Sequence, residues 1–245
     1  MSSAGPEEAG TLRTKMKAYA KDVVDSWFLR RLKRNKQLLD KLMDVGELVP
    51  LLCGSRGRGT ILANQDPQEL LALSDKLLAR PPKVVVEVGT AKGGTLYLWT
   101  RLAAPDALVV SIDKPGEVGS VGRTTRSLYR QFGRQRGVQV FTVAADSHSE
   151  NAHRQLRHIL GNRKVDFLFI DGDHRYEGVR ADFYGYQFYL APQSMVAMHD
   201  VGVPYTHPEI QVGRFWSEIL DHRLITESLI SQPGKSPGIG LVFVG

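Results

Sequence analysis

The sequence predicts a doubly wound α/β protein: a mostly parallel sheet of seven strands with an antiparallel last strand, preceded by helices. Three observations carry this. The run Val84-Val-Val-Glu-Val88 is apolar and β-branched without alternation, as suits a strand covered on both faces. Strand-like and helix-like stretches then alternate, which implies right-handed crossovers and a parallel sheet. At the end, 223–231 and 239–244 have only a proline- and glycine-rich turn between them, so they pair as an antiparallel hairpin on the sheet's edge.

In chain order, residues 1–10 are small, polar and proline-containing, and predict a disordered tail. Residues 11–65 form an extension. Its first part, to about Val45, reads as helix with Leu29, Leu32, Leu38, Leu39 and Leu42 as an apolar stripe, to pack on the main domain or on another subunit. Gly54-Ser-Arg-Gly-Arg-Gly59 is either a linker or a flap. The main domain runs from 66 to 245. Asp66-Pro-Gln-Glu69 opens a helix, with Asp66 as cap, Pro67 at the first helical position and Glu69 completing a capping box. Leu70, Leu71, Leu73, Leu77 and Leu78 give its buried face, and Pro81-Pro82 ends it.

After Val88, Gly89, Gly93 and Gly94 let the backbone turn tightly, and a helix follows from Thr95. Further strands are expected over 108–112, 138–143, 165–170 and 195–198, separated by helices that include 150–160 and 176–190. No apolar run approaches membrane-spanning length, the single Cys53 excludes an intramolecular disulfide, and the amino terminus has no secretion-signal pattern. A cytoplasmic protein is expected. The net charge of +6 raises the question of nucleic acid. The basic residues gather in 13–41 and 123–136, however, without the interleaved aromatics of a stacking platform, and read as solvated faces.

Ligands of open α/β sheets bind beyond the carboxyl ends of the strands. There this sequence places Glu87 and Gly89, Asp113, Asp146-Ser147, Asp171 and His199-Asp200. Singly, each acid reads as a cap or turn residue; jointly they point to a nucleoside, with Asp113 in reach of ribose hydroxyls and Asp146-Ser147 beside it. In Phe169-Ile-Asp-Gly-Asp-His-Arg-Tyr-Glu-Gly178, Asp171 and Asp173 end a strand, His174 follows, and Asp200 is expected across the neighbouring strand end. Oxygen ligands from two strand ends suit Mg2+ or another hard cation, and a nearby histidine suits proton removal from a hydroxyl. Three roles are open to His199: ligand, orienter of a ligand, or packing residue.

Together, Val86-Glu-Val-Gly-Thr-Ala-Lys-Gly-Gly-Thr95, Ser111-Ile-Asp-Lys-Pro-Gly116, Asp146-Ser-His148, the 167–178 segment, Met198-His-Asp200 and Gly213-Arg-Phe-Trp216 resemble the bacterial class I S-adenosylmethionine-dependent methyltransferases grouped with the cephalosporin hydroxylase family. The resemblance covers about 66 to the final strand and implies a Rossmann-like methyltransferase domain there. It implies that Glu87, Gly89, Thr90 and Gly93 line the methionine and ribose part of the cofactor, that Asp113 holds the ribose, and that Asp146 and Ser147 border the adenine, with Asp171 at the reacting end. Similarity to metal-dependent sugar O-methyltransferases implies Mg2+ on Asp171 and Asp200, with His174 as base. His199 stands where those relatives carry a second acid, which weakens a hard-cation site.

The expected activity is transfer of a methyl group to a hydroxyl of a small molecule, a sugar or natural-product scaffold, with His174 and Asp171 catalytic, Asp171, Asp200 and His199 as metal candidates, and a homo-oligomer in solution. The rivals are an RNA methyltransferase using the basic clusters, a nicotinamide-dependent oxidoreductase, which the missing G-x-G-x-x-G spacing disfavours, and a non-catalytic cofactor-binding protein.

Overall fold

The computed structural model describes residues 29–42, 44–54, 60–115, 123–202, 208–222 and 224–245. The expected tail at 1–10, the start of the first helix, most of the glycine connector and the loop after Pro115 lie outside them. The expected single helix to Val45 is two: α1 over 29–39 and α2, Val45–Cys53, separated at 40–44. Asp44 caps the second, its side chain accepting from Gly46 N, and Pro50 lies inside this helix. Leu32, Leu39, Leu48, Val49 and Leu52 are buried, whereas Leu38 of the expected stripe is 55% exposed.

α3, Pro67–Ala79, begins as expected, with Asp66 Oδ1 accepting from Gln68 and Glu69 N–H. Leu70, Leu73 and Leu77 face inward, while Leu78 does not. The capping box does not form. Glu69 turns into the interior instead and accepts from Ser231 N–H at 3.0 Å, from the Ser236 hydroxyl and from Gly238 N–H at 2.9 Å. Three donors replace the water around this carboxyl group, 1% exposed, so one residue of α3 fixes the carboxy-terminal turn.

The strands are β1 Val84–Val88, β2 Leu108–Asp113, β3 Gln139–Ala144, β4 Val165–Ile170, β5 Leu190–His199, β6 Ile225–Leu229 and β7 Ile239–Phe243. They form one sheet in the order β3-β2-β1-β4-β5-β7-β6, parallel from β3 to β5, with β7 antiparallel to both its neighbours. The expected hairpin is present, but its second strand is the inner one. Strand β5 starts five residues earlier than its apolar part, because a register shift against β4 admits Pro192-Gln193 at its polar beginning. Accordingly the preceding helix α7, Tyr176–Tyr186, ends in a short 3-10 turn rather than reaching Leu190.

The crossover helices α4 Gly94–Leu102, α5 Arg123–Tyr129, α6 Glu150–Leu160 and α8 Val212–Asp221 complete the two outer layers. Val85, Val109, Phe167 and Phe169 pack against α1 to α5, and Val84, Val86, Val88, Leu168 and Ile170 pack against α6, α7 and α8. Glu87 shares the face of Val85, wholly buried, where Trp99 Nε1 donates to its Oε1 at 2.8 Å. Burial pushes its carboxyl up to about 8, against the opposing hydrogen bonds of Thr95, Thr90 and Trp99.

Replacing Glu69 by alanine leaves three donors of the terminal turn without their acceptor and is expected to cost on the order of 3 kcal/mol in denaturant unfolding; an unchanged midpoint would contradict the role given to this carboxylate. For Glu87 the folded state holds a proton that a free Glu, titrating at 4.5, releases. The stability this provides is complete below about 4.5 and is lost as the pH climbs through about 8. Glu87→Gln should therefore gain on the wild type as the pH rises, by a few kcal/mol at most across that window. Melting curves that stay parallel from pH 5 to 8.5 would show that Glu87 is charged in the fold.

Candidate active site

Strands β1 to β5 open onto a common rim, and a cleft of about 810 Å³ runs along it, within the size of small-molecule sites. Gly89 shapes its floor. Its φ of 86° is a left-handed value, and a Cβ there would lie 2.0 Å from the Asp171 carbonyl oxygen, so only glycine lets the ends of β1 and β4 close together. Asp171 N–H donates to Val88 O and Gly89 N–H to Ile112 O, extending the ladders of β4 and β1 beyond the strands.

The carboxylates and imidazoles expected across two strand ends do meet. Asp171 Oδ1 lies 3.2 Å from His174 Nε2 and 3.1 Å from His199 Nδ1; Asp200 Oδ2 is 3.3 Å from the same His174 nitrogen, and Asp200 Oδ1 is 3.3 Å from His199 Nδ1. Asp200 reaches this position through a left-handed turn, φ 66°, at the exit of β5. The His174 loop is pinned from α8: Gln211 N–H donates to His174 O at 2.7 Å, and Gln211 Oε1 accepts from Tyr176 N–H. Asp173 takes no part in the cluster. It accepts from the backbone and guanidinium of Arg175 and closes the turn before α7.

The charges are mutually dependent. Burial alone would favour a neutral Asp171, but the His199 and His174 imidazoles hold it well below the carboxylate range. For His199, 5% exposed, burial opposes the charge and is outweighed by Asp171 and Asp200, which push it up to about 10. The hydrogen bond to Asp171 raises His174 against the burial that would lower it. His199 Nε2 is buried and has no hydrogen-bond partner among the described residues. One nitrogen or oxygen from each of Asp171, His174 and Asp200 falls within 4.8 Å of the others, close enough for a shared cation.

On the other side of β1, Asp113, Asp146 and Ser147 line the same cleft. Asp146 accepts from His148 N–H and lies 3.4 Å from Lys114 Nζ; that backbone bond, ahead of Lys114, lowers its pKa against slight burial. Of the four residues expected around the methionine and ribose, Gly89 lines the cleft, while Glu87, Thr90 and Gly93 are not among its lining residues. Thr90 is buried with its hydroxyl against that of Ser111, and Gly93, φ 74°, caps α4 where a Cβ would strike the Tyr129 ring. Of the basic residues in the second cluster, Arg136 donates to the carbonyls of Thr100 and Arg101 and Arg130 to Thr142, so both serve the fold.

Residues of the site ahead of Asp66 went unnoticed in the sequence. Gln65 Nε2 donates to Asp171 Oδ2 at 2.7 Å, and Asn64 lines the cleft. They arrive on a strap that the Ala63 N–H to Leu52 O and Gly94 N–H to Leu62 O bonds tie down, so the extension before residue 66 contributes to the site itself. Polar residues directly ahead of a helix cap were the available signal.

A family model described as "Methyltransferase domain" matches residues 86–201, which contain the end of β1, β2 to β5 and the whole acidic rim. No curated protein matches the chain. Among solved structures, an O-methyltransferase from Bacillus cereus in complex with SAH is 16% identical, TM-score 0.54, over 89% of this chain and 100% of the other. The O-methyltransferase TomG from Streptomyces achromogenes, in complex with SAM, is 18% identical, TM-score 0.53, over 88% and 97%. Cofactor-bound Rv0187 from MTB is 19% identical, TM-score 0.56, over 87% and 97%. Residues 86–201 thus resemble a methyltransferase domain, and the chain shares the Rossmann-like fold of these O-methyltransferases.

Proposed function

We propose that this chain transfers the methyl group of S-adenosylmethionine to a hydroxyl of a small molecule, a sugar or natural-product scaffold, with His174 as general base. The observation that carries the reading is the division of one cleft. Asp113, Asp146 and Ser147 offer acceptors for a nucleoside on one side of β1, and the paired carboxylates and imidazoles face the acceptor on the other. That similar folds hold SAM or SAH and belong to O-methyltransferases supports it.

The sulfonium already activates the methyl group, so the protein aligns the acceptor oxygen and removes its proton. As the oxygen bonds to the methyl carbon, the carbon–sulfur bond breaks and its electron pair returns to sulfur; the hydroxyl proton passes to His174 Nδ1, because a hydrogen on Nε2 already points to the carboxylates. Asp171 and Asp200, at 3.2 and 3.3 Å from Nε2, stabilise the imidazolium so formed. Gln65 holds the far oxygen of Asp171, which keeps the near one turned to the imidazoles. His199 brings positive charge to the same carboxylates from the buried side, partly neutralising them. Asp171 and Asp200, with an imidazole nitrogen of His174, are donors that fit a divalent cation such as Mg2+. Such an ion, when bound, supplies charge that acidifies a hydroxyl.

Methyl transfer from radiolabelled S-adenosylmethionine to a panel of hydroxylated sugars and polyketides should identify an acceptor, and His174→Ala should lower its turnover by about 10²-fold or more; full turnover in that variant would remove His174 from the chemistry. In calorimetric titration the cofactor is expected to bind with Mg2+ and after chelation alike, because its nucleoside side lies away from Asp171 and Asp200. A separate Mg2+ heat, lost in Asp200→Asn, would accompany a metal site. A chain that takes up no S-adenosylmethionine under either condition would end this reading.

A further inference from the structure

One buried acid has no place in the chemistry above. Asp182, on the inner side of α7, is 0% exposed, and neither carboxylate oxygen makes a regular hydrogen bond among the described residues. What faces it is His148, whose Nε2 stands 3.1 Å from Asp182 Oδ1 and 3.1 Å from the carbonyl oxygen of Gly178. A carbonyl oxygen only accepts, so Nε2 carries a hydrogen, and the other ring nitrogen is the one left for a ligand. That nitrogen, Nδ1, is 3.6 Å from Asp146 Oδ1, and His148 lines the cleft beside Asp146 and Ser147. Asp182 sits just beneath the cleft floor, since a Cβ on Gly172 would lie 3.6 Å from its Oδ2.

An unpaired carboxylate at this depth costs several kcal/mol, so Asp182 is tolerated only with a positive partner. The imidazole is that partner. It is itself set between a buried carboxylate and one on the cleft wall, and the bond to Asp182, against partial burial, raises its affinity for a proton. The arrangement matches the way a carboxylate behind a histidine fixes ring orientation in binding sites.

We propose that Asp182 and His148 form a dyad that binds the nucleoside end of the cofactor. Asp182 anchors Nε2–H from below, and Nδ1–H, next to Asp146, donates to an acceptor atom of the adenine or ribose. The proposal rests on the S-adenosylmethionine reading and adds to it a residue, His148, and the buried acid that positions it. The location favours the nucleoside: His148 follows Asp146 and Ser147 at the exit of β3, and its Nδ1 faces Asp146 Oδ1 on the cleft wall.

Calorimetric titrations of the full chain with S-adenosylhomocysteine and with adenosine test it. His148→Ala should weaken both ligands by a similar factor, about 10-fold or more for a lost charge-assisted bond. Asp182→Asn, which leaves the imidazole in place, should weaken both by less. His148→Asn, whose amide nitrogen takes the position of Nδ1, should restore part of the loss, which a merely structural role would not allow. In the wild type, the ¹⁵N resonance of His148 Nδ1 should shift on adenosine binding while Nε2 stays protonated. Should Asp182→Asn fail to fold, the His148 variants and the ¹⁵N signals decide. Adenosine affinity unchanged in His148→Ala, or a loss confined to S-adenosylhomocysteine, would overturn the dyad while leaving the methyltransferase reading intact. A wild-type chain that binds neither ligand would remove both.

Discussion

The site depends on one carboxylate, Asp171, and on the backbone approach that delivers it. Gly89 lets the ends of β1 and β4 come together, Asp171 N–H continues the ladder to Val88, and the side chain enters the cleft with both oxygens engaged. One oxygen takes Gln65 from the amino-terminal strap, and the other takes His174 and His199. Elements from three parts of the chain therefore converge on a single acid, whose orientation none of them sets alone.

Buried acids are handled differently at each depth. Glu87, wholly enclosed with indole and hydroxyl donors, keeps its proton. Glu69 is equally enclosed but accepts two backbone amides and a hydroxyl. Asp171 stays ionised because imidazoles surround it, and Asp182 has a single imidazole in front of it. Only the last two reach the cleft, directly or through a histidine. Charge is thus available at the rim, where a sulfonium, a departing proton or a cation can use it, and is neutralised or spent on structure elsewhere.

Much of this was legible because it is local. The valine run of β1, the glycine loop after it and an acid at each strand exit are short-range patterns, and strand-end position predicted that Asp200 would face Asp171 and His174, with the role of His199 left open. What stayed hidden is set by tertiary contacts. Glu69 fits a capping box in the sequence, yet Asp66 caps α3 without it and the terminal turn claims its carboxylate. Gln65 reaches a partner 106 residues away, which no spacing rule reveals. The polar start of β5 was obscured by a register shift that only pairing with β4 shows. Glu87 looks like a ligand at a strand's exit, but the two-residue period turns it onto the Trp99 face, one residue short of the rim.

The most direct measurement is a crystal structure of the chain with S-adenosylhomocysteine. The nucleoside should lie across the ends of β2 and β3 against Asp113 and Asp146, with the sulfur turned toward Asp171 and His174. A ligand lodged on another face, or reversed so that its sulfur lies beyond β3, would contradict the division of the cleft on which the proposed chemistry is built.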